Sequence, residues 1–156
     1  MNRLHTNRGY SLVEILVAIG IFGILAAAAL PHIDTRRQNI NTAVKTLAAN
    51  IRLARAKAMS TGGHYCMHRL SSTQYYIRRW SDSKNIVEAK LPSKVSWTID
   101  DYPDLPHLMF NTRGMTIDNS AQHRVLTNPV SIYVDDTFGI SHKIVVWPSG
   151  QVYEEY

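Results

Sequence analysis

Hydrophobic residues form one continuous run near the start of the chain. The 21 positions from Tyr10 to Leu30 are apolar apart from Ser11, Glu14 and two glycines, and the 16 residues from Ile15 to Leu30 carry no charge. A helix of 21 residues is about 31 Å long, close to the roughly 30 Å hydrocarbon thickness of a bilayer. The pattern therefore predicts a single membrane-spanning helix over residues 10–30.

After residue 30 the hydrophobic pattern becomes that of one helical face. Apolar residues recur at steps of three and four, while charged residues occupy the other faces. We call these apolar positions the seam; they are Ile40, Val44, Leu47, Ile51, Ala54 and Ala58. The pattern predicts an amphipathic helix over residues 31–61, ending at Gly62 and Gly63 because glycine is favoured just past a helix end.

Three residues weaken the predicted helix where its two halves meet. Pro31 lacks an N–H donor and its ring clashes with the preceding turn, so we expect a kink or an interruption there. Gly20 and Gly23 each weaken the apolar half by about 1 kcal/mol relative to alanine. We therefore predict a helix break between Gly20 and Pro31.

Residues 62–156 alternate short β-like runs with turn residues, and no internal repeat is present. Close spacing of such runs favours antiparallel hairpins and meanders. We expect an α+β fold in which a long N-terminal helix packs its seam on an antiparallel β-sheet head with one small core. The predicted strands are His64–Leu70, Gln74–Trp80, Ile86–Leu91, Val95–Ile99, Leu108–Asn111, Val130–Val134, Ile140–Trp147 and Gln151–Tyr156.

Charge at the N-terminus predicts the orientation of the chain. Residues 1–9 hold Arg3 and Arg8 and no acidic residue. Since Lys and Arg favour the cytoplasmic side, the N-terminus should stay in the cytoplasm of a bacterial cell, with residues 62–156 in the periplasm as the head of a single-pass inner-membrane protein. An ordinary signal peptide cleaved after Ala28, leaving a soluble periplasmic binding module, is the alternative.

Glu14 is the feature that an ordinary signal peptide does not explain. A carboxylate at the mouth of an apolar helix is costly in lipid unless it meets a partner, and such a residue is functional by default. The residues around it, Arg8-Gly9-Tyr10-Ser11-Leu12-Val13-Glu14, precede an apolar run and Pro31. This segment resembles the class III signal of type IV pilins and type II secretion pseudopilins.

The resemblance implies a processing and assembly pathway. Prepilin peptidase would remove residues 1–9 by cleaving after Gly9, and Tyr10 would become the N-methylated first residue. Glu14 would be the assembly carboxylate, pairing with the α-amino group of a neighbouring subunit. The family usually has Phe after the cleavage site, whereas this chain has Tyr10.

A narrower resemblance covers three short segments of the remaining chain. The segment from Ala48 to Met59, the segment Phe110-Asn111-Thr112-Arg113-Gly114 and the segment from Trp147 to Val152 are similar to the GspH/FimT group of minor pilins. The resemblance implies a non-enzymatic subunit without a cofactor. Its partners would be other major and minor pilins or pseudopilins, prepilin peptidase and inner-membrane lipid.

Charge in the head argues against nucleic acid as a partner. The whole chain carries +5, but residues 62–156 hold nine basic and ten acidic residues, a net charge of −1. DNA-binding members of the FimT branch are expected to end in a Gly-Arg-x-Arg tail, whereas this chain has Glu154 and Glu155 there. We expect no DNA binding by this tail, and a DNA-uptake minor pilin is kept as an alternative function.

The remaining candidate sites are weak. Cys66 is the only cysteine, so an intramolecular disulfide is excluded. His64, Cys66 and His68 alternate and would share one face of a strand, where they could offer a metal three ligands or serve only in packing. Asp100, Asp101 and Asp104 form an acidic loop without EF-hand spacing, and no Walker loop, serine-nucleophile elbow or zinc-protease motif is present. We therefore expect neither a metal site nor an enzyme.

Overall fold

The structure, a computed structural model, describes residues 11–29, 35–100, 107–119 and 122–155. The chain divides into two compact units, Met1–Thr35 and Arg36–Tyr156. Within the first unit lies helix α1, Leu12–Ala29, of 18 residues.

Helix α2, Thr35–Thr61, has 27 residues, and its apolar face belongs to the core of the second unit. Every residue of the seam has 0% of its surface exposed, as the 3.6-residue period predicts. The helix is followed by Gly62, whose φ of 64° lies in the left-handed region that glycine adopts without a steric cost.

In the described part of the chain, nine strands follow α2 and form two antiparallel sheets. The first sheet has the order β3-β2-β1-β5-β6, and the second has the order β4-β7-β8-β9. Because every paired neighbour is antiparallel, the prediction of hairpins and meanders is confirmed. The strands are β1 (Tyr65–Arg69), β2 (Gln74–Arg79), β3 (Asn85–Lys90), β4 (Val95–Asp100), β5 (His107–Phe110), β6 (Thr116–Ile117), β7 (Val130–Asp136), β8 (Ser141–Val146) and β9 (Val152–Glu155).

The main core joins the seam of α2 to the inner faces of both sheets. Met67 and Ile77 enter it from the first sheet, and Trp97, Ile132 and Ile144 enter it from the second, each fully buried. Since side chains alternate along a strand, the neighbours of these residues point to the opposite faces of their sheets. The α+β fold with a helix packed on antiparallel strands is thus the one predicted.

Strand β6 is the element that the sequence pattern missed. It has two residues, with Thr116 opposite Phe110 and Ile117 opposite Met109. A strand this short has no periodicity to detect. Its pairing creates a second buried cluster of Cys66, Met109 and Ile117, separate from the main core.

Candidate functional site

The N-terminal end of α1 has the geometry of a capped helix. Ser11 lies just before the helix, its side-chain Oγ accepts a hydrogen bond from the Val13 N–H at 3.2 Å, and its carbonyl accepts the Glu14 and Ile15 N–H groups at 3.0 and 3.2 Å. Glu14 follows Ser11 by three residues, the spacing of a capping box. Glu14 therefore has a local helix-capping role available to it, which the sequence analysis overlooked although the Ser-x-x-Glu pattern was visible.

The apolar side chains of α1 are exposed throughout its described part. Those of Leu12, Phe22 and Ile24 have 72–74% of their surface accessible, and every side chain described from residue 11 to 25 is exposed. An apolar surface of this extent is unfavourable in water and indicates an interaction site for lipid or other protein. Among the residues that the structure describes, no helix meets the length and hydropathy needed to span a membrane.

The other residues predicted for processing and helix breaking are placed as follows. Gly9, Tyr10 and Pro31 lie outside the described residues, so cleavage, methylation and the kink stay predictions. Gly20 and Gly23 lie inside α1, which continues through both as an α-helix. A Cβ built on either glycine meets nothing within 4 Å.

In the second unit, the three segments that resemble the GspH/FimT group come together at Arg55 of α2. The Arg55 Nε donates to the Gly114 carbonyl and its Nη2 donates to the Ser149 carbonyl, both at 3.0 Å. The Thr116 N–H donates to the Pro148 carbonyl at 3.0 Å, which ties the same two turns to each other. We call this meeting point the arginine junction.

Two glycines allow the close approach that the junction requires. Gly114 and Gly150 are buried and have φ angles of 75° and 78°, in the left-handed region. A Cβ on Gly114 would lie 2.7 Å from the Met59 Sδ, and a Cβ on Gly150 would collide with the Gly114 carbonyl oxygen. A larger residue at position 114 would displace the Met59 side chain, and one at position 150 would displace the backbone of Gly114 or the Arg55 guanidinium.

The acidic residues near the C-terminus lie beside basic partners. The Arg52 Nη2 lies 2.9 Å from the Glu154 Oε1 and donates to the Val152 carbonyl at 3.2 Å. On the neighbouring strand, the Lys143 Nζ is 3.9 Å from the Glu155 Oε2. These carboxylates therefore help to attach β9 to α2 and β8.

The candidate metal ligands on β1 do not converge. The described residues contain no group of three or more His, Cys, Asp or Glu side chains able to hold a metal ion. His68 instead contacts His107, with 2.6 Å between their Nδ1 atoms, and the ring of His64 contacts that of His123 at 4.8 Å. Cys66 is buried, its thiol lies 3.7 Å from the Arg78 carbonyl, and burial raises the pKa of this thiol. Of the acidic loop, only Asp100 is among the described residues.

Comparison with known proteins agrees with the geometry of both units. Residues 4–30 match the family described as the prokaryotic N-terminal methylation motif. The pilin-like protein PilA1 of Thermus thermophilus is 37% identical over 54 residues, which is 35% of this chain and 35% of that protein. The matched segment thus spans about a third of the length of this curated relative.

Two solved structures share the fold at low sequence identity. The type IV minor pilin FimU of Pseudomonas aeruginosa superposes with a TM-score of 0.62 at 16% identity, covering 78% of this chain and 92% of FimU. The minor pseudopilin EpsH from the type 2 secretion system of Vibrio cholerae superposes with a TM-score of 0.54 at 8% identity, covering 74% and 95%. The predicted resemblance to type IV pilins and type II secretion minor pseudopilins is confirmed: the chain joins a prokaryotic N-terminal methylation motif to a pilin-like fold.

Proposed function

We propose that this protein is a minor pilin or pseudopilin, a non-enzymatic structural subunit of a type IV pilus or a type II secretion pseudopilus. The observation that carries the proposal is the combination of an exposed apolar helix that begins at Ser11-Leu12-Val13-Glu14 with a head that has the minor-pilin fold. The exposed apolar side chains of this helix are unfavourable in water and need lipid or other protein around them.

In this proposal the subunit begins in the inner membrane. Residues 10–30 anchor it there, with residues 1–9 in the cytoplasm and the head in the periplasm. Prepilin peptidase cleaves after Gly9, and Tyr10 receives the N-methyl group. Cleavage creates a positive α-amino group next to Glu14 on a neighbouring subunit.

Pairing between that amine and Glu14 would set the register of assembly. Each charge is unfavourable alone in lipid, and removing one partner of such a pair leaves an uncompensated charge. The pairing would therefore favour entry into a filament beside other major and minor pilins or pseudopilins. The apolar side chains of α1 would supply contact area once the subunit leaves the bilayer.

The capping geometry at Ser11 permits a sharp test of this role. Glu14→Gln keeps a residue type that serves in a capping box but removes the charge, whereas Glu14→Ala removes both. If pairing is the role of Glu14, both variants should insert and be cleaved normally but enter filaments at least about tenfold less than wild type. Glu155→Gln, which removes an exposed carboxylate from the head, should assemble normally.

The readouts are the amount of protein in the filament fraction and the intact mass of the membrane-extracted chain. Normal assembly of Glu14→Gln with impaired Glu14→Ala would show that capping, not charge, matters, and would contradict the pairing. A mature chain that starts at N-methylated Tyr10 supports the proposal as a whole. A start at Ala29 would replace it with the soluble periplasmic module.

A DNA-uptake role is the alternative with least support from the head. Glu154 and Glu155 lie near Arg52 and Lys143. Carboxylates at this position repel phosphate and partly neutralise the nearest cations. Micromolar binding of duplex DNA to the purified protein, weakening with salt, would favour the DNA-uptake function over the one proposed.

A further inference from the structure

Six rings form a continuous row on the outer face of the first sheet. His68 contacts Tyr76 and His107, with ring centroids 4.8 and 4.7 Å apart. Trp80 lies 5.6 Å from His107 and 6.1 Å from His123. With the His64–His123 contact the row is complete, and we call it the histidine face.

The contact between His68 and His107 limits how many protons the pair can hold. Their Nδ1 atoms are 2.6 Å apart, so one nitrogen must carry the hydrogen and the other must offer its lone pair. With one imidazolium and one neutral ring the hydrogen bond survives. With two imidazolium rings both Nδ1 atoms carry hydrogen, no acceptor remains, and two like charges face each other.

Burial and nearby positive charge lower the pKa of one ring in each pair. Burial lowers the pKa of His64, and the charge of His123 lowers it further. Burial also lowers the pKa of His68, with a second contribution from the positive charge of Arg78. The closed arrangement thus favours the neutral form of these rings.

Other charged groups near the face come from each neighbouring element. On β2, Arg78 lies over the Tyr76 ring at 5.4 Å, and Arg79 lines a cavity of about 240 Å³ with His64 and Trp80. On β3, Glu88 is opposite Tyr76, and its Oε1 accepts a hydrogen bond from the Asn85 Nδ2 at 2.6 Å.

The loop after β6 contributes one carboxylate and one further cation. The Asp118 Oδ1 accepts a hydrogen bond from the Arg124 N–H at 2.9 Å. On the same face of β1 as His68 lies the thiol of Cys66, which is buried. The two carboxylates therefore already accept hydrogen bonds, while the guanidinium groups add positive charge to this side of the head.

Segment 122–126 lies beside β6, where Val125 forms an isolated antiparallel bridge with Ile117. The Asp118 N–H donates to the Arg124 carbonyl at 2.8 Å, and the Leu126 N–H donates to the Thr116 carbonyl at 3.0 Å. His123, the ring that joins this segment to Trp80 and His64, has a strained φ of 46°. Its ring contacts therefore help to hold a conformation that the backbone alone would not favour.

We propose that the histidine face is a proton-operated latch on the head. With His64 and His68 neutral, His123 packs on Trp80 and His64 and keeps segment 122–126 on the sheet. A second proton on either pair separates the rings and releases the segment. Ile117, a member of the buried cluster with Cys66 and Met109, is the bridge partner of Val125, so release would uncover Ile117 at low pH.

The size of the effect follows from linkage. Burial favours the neutral forms of His64 and His68 in the closed state, whereas in the open state a histidine has its ordinary pKa of about 6.5. Lowering the pH from 7.5 to 5.5 therefore raises the opening equilibrium by at most about tenfold for each pair. The stabilisation by the closed face is present above about pH 6.5 and is lost as the pH falls through that value.

Amide hydrogen exchange of the full chain in detergent micelles tests the latch. After correction for the intrinsic rate, protection of the Asp118 and Leu126 amides should fall several-fold between pH 7.5 and 5.5, by at most about tenfold for each histidine pair. Peptides from β7 and β8 should keep their protection. In His107→Asn and His123→Asn the pH-dependent loss should shrink, while His142→Asn, which removes a histidine from the second sheet, should behave as wild type.

Three results would overturn the latch. The first is that amide protection in the wild-type chain does not change with pH. The second is that His123→Asn keeps the full pH dependence. The third is that β7 and β8 lose protection in parallel, which would mean global unfolding. His123 lies on a half-buried loop position, so its variant keeps the test decisive if His107→Asn fails to fold.

Discussion

Replacing Gly150 with alanine tests whether the arginine junction holds the head together. An alanine side chain at this position lowers the free energy of unfolding in two ways. Its φ of 78° lies in the left-handed region, where an L-residue with a Cβ loses about 1–2 kcal/mol. The added Cβ also collides with the Gly114 carbonyl oxygen and lies 2.7 Å from the Arg55 Nε, and overpacking of this kind costs about 1–3 kcal/mol.

Gly139 provides the matched control. Its φ of 90° is also left-handed, but a Cβ there meets nothing within 4 Å. Gly139→Ala should therefore lower the free energy of unfolding only by the backbone cost of about 1–2 kcal/mol. Gly150→Ala should lower it by about 2–5 kcal/mol in total. Both changes reduce the entropy of the unfolded chain by the same amount, so this contribution cancels in the comparison.

Equilibrium urea unfolding of the full chain in detergent micelles, followed by circular dichroism, gives the two free energies of unfolding. The prediction is a difference of at least about 1 kcal/mol between the variants, with unchanged slopes against urea. Equal losses in Gly150→Ala and Gly139→Ala would refute the reasoning, because they would show that the junction yields to a methyl group without cost.

The same unfolding measurement checks two further predictions. Leu47→Ala should lower the free energy of unfolding by about 2–5 kcal/mol, because it opens a cavity where the seam meets both sheets. A decrease below about 1 kcal/mol would mean that Leu47 does not pack in the core. Arg55→Ala should lower the free energy of unfolding by about 1–3 kcal/mol, because it leaves the Gly114 carbonyl without its side-chain donor. Arg52→Ala should lower it by less than about 1 kcal/mol, because the ion pair of Arg52 is half exposed. The reverse order would contradict the role given to Arg55.

Local patterns in the sequence were sufficient for much of the fold. The seam of α2 and the alternation along the strands reflect which side chains are buried away from water. Of the nine strands in the described residues, eight are predicted within two residues of their observed ends. Strand β6 was missed because two residues carry no period. Ser11 and Glu14 have the spacing of a capping box, which is a local signal present in the sequence itself.

The junction and the histidine face depended on topology. Arg55 bonds to residues 59 and 94 positions further along the chain, and His68 meets His107 across the β1–β5 pair, 39 positions away. A hydrophobic pattern says which face of a strand is buried but not which strand lies beside it. For the same reason the sequence allows metal binding by His64, Cys66 and His68, because it places them on one face of a strand without showing their neighbours.

The sequence by itself determined the apolar N-terminal helix, the amphipathic helix that follows, the β-rich head and the methylation motif, because each depends on residues close together in the chain. The tertiary structure alone decided that three distant segments meet at Arg55 and that four histidines form one face. Hydrogen bonds to buried carbonyls and contacts between rings require a specific neighbour, and the neighbour is chosen by the packing of the whole head.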